Sequence, residues 1–127
     1  MTQNRPVNIN LLKIKLPLSA FLYITHRISG IIIFFIVLPV SVFIFSELTQ
    51  SQDSFNNFMI MYHKNLGIKF GCVSLILIFQ YHIFTGVRHI LMDFHILNES
   101  LSSSYKSAVT TLVLFAVNAL LTLWVML

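Results

Sequence analysis

The stretch YHIFTGVRHILMDF, residues 81–94, sets two histidines, an arginine and an aspartate at the end of an otherwise apolar run. His82 and His89 are seven residues apart, a spacing that on a helix returns almost to one face and separates the two by roughly 10 Å along the axis. Gly86 lies between them on that face. A neutral imidazole in hydrocarbon needs partners for its ring nitrogens. His82, the deeper of the two, could hydrogen-bond to a neighbouring helix. It could also bind a haem iron, for which imidazole is a standard axial ligand, with Gly86 leaving room for a flat macrocycle.

A second group lies in THRISG, residues 25–30, where His26, Arg27 and Gly30 open another apolar run. They are expected at the membrane level of Arg88 and His89. Cations at one level would neutralise haem propionates; the alternative for Arg27 and Arg88 is snorkelling to lipid headgroups. A six-coordinate haem needs two axial ligands, yet only His82 is deep, because His63 and His95 fall at helix boundaries. The second ligand is therefore expected from another chain. His89 and Asp93 form an i, i+4 pair suited either to proton relay or to a simple helix-end contact.

The elements that position these residues follow from composition. The chain has 127 residues, 57% hydrophobic and 9% charged, against about 25% charged in a typical soluble domain. Residues 28–46, 70–87 and 107–127 contain no Lys, Arg, Asp or Glu, and each run approaches the roughly 20 residues needed to cross a bilayer. Strand alternation is absent, so the backbone must satisfy itself within helices. The expectation is an all-α membrane protein forming a single transmembrane domain over 1–127, with helices at about 18–47, 67–95 and 105–127 and a polar segment at 1–16. Within that segment LLKIKL could be interfacial or a strand-like arm. Pro17 suits a first helical position, and Pro39 should kink the first helix. The linker ELTQSQDSFNNFMIMYHKN is read as polar outer surface without a fold of its own.

Charge and cysteine usage narrow the class further. A net charge of +4 is too small and scattered for a nucleic-acid surface. Six of the eight Lys/Arg fall on the N-terminal segment or the second loop, which the positive-inside rule places in the cytoplasm, with the C-terminus outside. Cys72 has no disulfide partner, and no CxxCH is present to attach a haem covalently. No small-x-small cleavage site follows the first apolar run, so the N-terminal helix is expected to be retained.

The two groups resemble the signatures of a known family. RPVNINLLKIKLPLSAFLYITHRISG is similar to the N-terminal signature of the larger cytochrome b membrane-anchor subunit of succinate dehydrogenase, and HIFTGVRHILMDF to its second signature, H-x-x-x-G-x-R-H-x-x-x-D. The RPVN opening resembles the bacterial branch, with ubiquinone as acceptor.

The resemblance implies that His82 is an axial ligand of haem b, shared with a second anchor subunit that supplies the other ligand. It implies that His26 and Arg27 lie by the propionates and the quinone pocket. Iron–sulfur and flavoprotein subunits would deliver electrons at the cytoplasmic face of an inner membrane. Succinate is not expected to touch this chain, which contributes to catalysis only within the complex. Where the bacterial family often has a serine four residues before the arginine, this chain has Tyr23; its phenol is a candidate quinone contact, with Ser19 and Thr25 as other hydroxyls nearby. Two other readings use parts of the pattern: a haem-free anchor with the same quinone chemistry, and a subunit of a proton-coupled transporter relaying through His82, His89 and Asp93.

Overall fold

The computed structural model describes residues 16–98 and 100–127. Residues 1–15, with Arg5, Lys13 and Lys15, lie outside them, so the readings of the N-terminal segment and of LLKIKL fall there, Leu16 apart. Every regular element of the described chain is a helix. It runs as α1 (Leu18–Ile32), a π-helical turn (Ile33–Val37), α2 (Leu38–Gln50), α3 (Gln52–Lys64), α4 (Leu66–Asp93) and α5 (Leu101–Met126). Three continuous stretches, Leu18–Gln50, Leu66–Asp93 and Leu101–Met126, are long and apolar enough to span a membrane.

Pro39 explains the π turn. A proline inside a helix lacks the N–H that would bond four residues back, and its ring crowds that carbonyl. The chain answers just ahead of it, where the Leu38 N–H reaches the Ile33 carbonyl five residues back, a widened turn that absorbs the misfit. Leu18–Gln50 thereby stays continuous through its proline.

The linker after the first span is helical, contrary to the sequence reading. Ser51 caps α3, its Oγ accepting from the Ser54 N–H at 3.1 Å. Asp53 in the first turn and His63 and Lys64 in the last complement the helix dipole. The Tyr62 hydroxyl donates to the Met126 carbonyl at 2.9 Å, tying α3 to the end of α5. Asn65 then caps α4 by accepting from Gly67 at 2.9 Å and Ile68 at 3.3 Å. At its far end α4 stops before His95, whose φ of 57° is the left-handed conformation that commonly closes helices.

The distribution of side chains is that of a protein dissolved in lipid. Ser29, Thr85, Arg88, Ser104 and Thr111 are buried, while Phe34, Phe35, Phe45 and Trp124 are exposed. With hydrocarbon outside, large apolar groups gain nothing by turning inward, and small or polar residues make the helix contacts. Helix α4 is central, packed on both α1 and α5. Ser104, Ala108 and Thr111 form a buried, small-residue stripe on α5, which lets the backbones of α4 and α5 approach closely.

Candidate functional site

His26, Ser29 and Gly30 recur at three- and four-residue spacing on α1, so they share one face. That face meets His82, Gly86 and His89 on α4. The imidazoles of His26 and His82 are stacked, with centroids 4.2 Å apart and planes 11° from parallel. His89 lies 4.9 Å from His26 at 52°, and the Tyr23 ring stands edge-on to His89 at 5.0 Å. Both glycines ease this packing. A Cβ on Gly30 would lie 3.2 Å from His82 Cε1, and one on Gly86 would lie 3.1 Å from His26 Nε2.

Ser29 defines the hydrogen-bond state of His82. Its Oγ lies 2.7 Å from the His26 carbonyl, which can only accept, so the single hydroxyl proton is given there. The 2.9 Å contact between Ser29 Oγ and His82 Nδ1 must then be donated by the ring. In a neutral ring that contact places the proton on Nδ1 and leaves Nε2 its lone pair.

Arg27 and Arg88, expected at one level, have different surroundings. Arg27 is exposed and lies over the Tyr23 ring, 4.2 Å from its centroid, while also donating to the Tyr23 hydroxyl. Arg88 is buried. Its Nε donates to Ser107 Oγ at 3.1 Å, and one terminal nitrogen donates to the Ser104 carbonyl at 3.1 Å and its Oγ at 3.2 Å. Arg88 therefore joins α4 to α5.

Beside the histidines a cavity of about 500 Å³ is lined by Ser19, Tyr23, His89 and Asp93 among others. The His89 Nε2 is buried without a hydrogen-bond partner among the described residues, whereas Asp93 is exposed. Thr25, the other hydroxyl considered for this region, is engaged across the helix interface with the Tyr81 hydroxyl.

Sequence reasoning quoted Ser29 within HRISG without giving it a role, and it missed Ser104 and Ser107. The signal for Ser29 was its three-residue offset from His26, next to a glycine, on a face already marked as polar.

The chain matches the family described as Succinate dehydrogenase/Fumarate reductase transmembrane subunit over residues 1–124. It is 34% identical to the succinate dehydrogenase cytochrome b556 subunit of Coxiella burnetii over 93 residues, covering 73% of this chain and 74% of that one. It is 33% identical to the succinate dehydrogenase cytochrome b560 subunit of Porphyra purpurea over 112 residues, covering 87% and 88% of the two chains. With three apolar spans and a polar interface of histidines inside them, the chain belongs to the succinate dehydrogenase/fumarate reductase transmembrane subunit family, as a cytochrome b anchor subunit.

Proposed function

We propose that this chain is the subunit through which a succinate dehydrogenase meets its quinone, holding one haem b jointly with a second anchor subunit. The observation that carries the reading is the 2.9 Å contact between Ser29 Oγ and His82 Nδ1. With Nδ1–H committed to Ser29, Nε2 keeps the lone pair that an iron requires. The b-type cytochrome names of both relatives support the same cofactor. His82 would hold the iron, and His26 and Arg27 would supply donors to the propionates. Gly86 gives His26 its place beside the ligand. When bound, the haem supplies one-electron storage within the membrane.

The other ligand to the iron would come from the partner anchor. His26 stacks on His82 at 4.2 Å, which leaves no room for one group to be held between the two rings. Flavoprotein and iron–sulfur subunits would dock at the cytoplasmic face of the inner membrane. The excess of Lys/Arg in the N-terminal segment and second loop supports that orientation.

Ubiquinone would enter the cavity lined by Ser19, Tyr23, His89 and Asp93. Two electrons and two protons convert it to the quinol. Tyr23 would donate a hydrogen bond to a quinone carbonyl, and Arg27, already bonded to that hydroxyl, would stabilise negative charge developing on the oxygen. Asp93 is exposed and His89 is half-buried with its Nε2 enclosed, an order suited to passing protons inward from water.

The test is His82→Ala in the assembled complex, read by a reduced-minus-oxidised spectrum and succinate–quinone reductase assay. Loss of the b-type band is expected. Parental haem content would refute the ligand assignment, and a parent complex with no b-type band would leave a haem-free anchor.

A further inference from the structure

We propose that Ser29 is a positioning residue of the haem site: its hydroxyl fixes the tautomer, the ring plane and the electron-donating strength of the His82 imidazole. The inference rests on the haem reading above and assigns a role to a residue that would touch neither iron nor quinone.

Three contacts hold the His82 ring from the α1 side. Ser29 Oγ accepts from Nδ1 at 2.9 Å. The His26 ring covers one face at 4.2 Å. Gly30 lets Cε1 come closer than a methyl group would comfortably allow, at 3.2 Å from where its Cβ would stand. Stacking and close packing restrict the ring plane, but neither distinguishes the two ring nitrogens. Ser29 does, because the His26 carbonyl takes its only proton at 2.7 Å and turns the oxygen into an acceptor. Ser29 is itself buried, at 5% exposure, so water does not compete for the contact.

A serine bonded to a carbonyl one turn back is common in helices and slightly unfavourable to them. Removing the hydroxyl should therefore spare α1 and act through His82. An outer partner that accepts from a ligating imidazole raises its basicity, and losing such a partner typically costs about 10–100-fold in affinity. A less basic ligand donates less to iron and favours the reduced state, which moves the midpoint potential in the positive direction.

The experiment compares Ser29→Ala, Ser29→Cys and Ser29→Thr in the full complex by haem retention and by potentiometric titration of the b-type band. Ser29→Ala should release haem about 10–100-fold more readily, with the remaining band titrating at a more positive potential. Ser29→Cys keeps the side chain's place but offers a weak sulfur acceptor, so a smaller change in the same direction is expected even if the alanine variant fails to assemble. Ser29→Thr keeps the hydroxyl and should behave as the parent. Parental affinity and potential in both the alanine and cysteine variants overturn the role of Ser29 while leaving the haem reading intact. A parent complex without the band overturns both.

Discussion

The imidazoles of His26 and His82 lie face to face across the α1–α4 interface, 4.2 Å apart and 11° from parallel. Each ring packs against a glycine, Gly30 facing His82 and Gly86 facing His26, where an added Cβ would push the ring back by a few tenths of an ångström. The two helices are fitted to each other around a pair of rings, and the fit can be perturbed one ring at a time.

Gly30→Ala should displace the His82 ring and Gly86→Ala the His26 ring, each at a cost of about 1–3 kcal/mol in strain. The first is expected to deplete haem from the purified complex. The second should lower its thermal midpoint while retaining more of the b-type band. Equal haem content in the two variants would contradict the separate roles given to the two histidines.

Arg88→Leu removes the donors that bind Ser104 and Ser107 and strands buried acceptors on α5. A loss of about 1.5–3 kcal/mol is expected, seen as early thermal dissociation of the complex. The b-type band should remain at low temperature. Loss of haem with undiminished stability would place Arg88 at the cofactor instead of at the helix interface.

Arg27→Ala should reduce kcat/KM for quinone by about 10²–10³-fold, the range found when a donor to a developing oxyanion is removed. Tyr23→Phe keeps the ring under the guanidinium and loses only the hydroxyl, so a smaller effect is expected, mainly in KM. Reduction of a soluble dye by succinate should be unaffected in both. An Arg27→Ala complex with parental quinone kinetics would remove Arg27 from the site.

Asp93→Asn and His89→Leu should each lower kcat several-fold and enlarge the solvent deuterium isotope effect, because proton delivery then limits turnover. Unchanged rate and isotope effect in both variants would reduce the pair to a helix-end contact.

The three spans were legible because each apolar run is as long as a bilayer is thick, and the histidines stood out because imidazole is costly in hydrocarbon. What the sequence withheld was which helix faces meet. Arg88 was read as bound for headgroups or propionates; it faces α5 serines that nothing in the chain's local pattern marks as its partners. The role of Ser29 was hidden for a related reason: its offset from His26 marks the face, but its meaning depends on a histidine 53 residues away. Helix α3 was a different kind of miss. Its Ser51 cap, early Asp53 and late Lys64 were all in the sequence, but its modest apolar content hid them inside a polar linker.

The order in which the site closes has a consequence for biogenesis. His26, Ser29 and Gly30 belong to the first span, and His82, Gly86 and His89 to the second. Every described contact within the histidine cluster is therefore available once the ribosome has delivered residues up to Asp93, before α5 has entered the bilayer. The third span then arrives against Arg88. The newborn chain can thus hold His82 in its packed orientation while its own last helix is still being made.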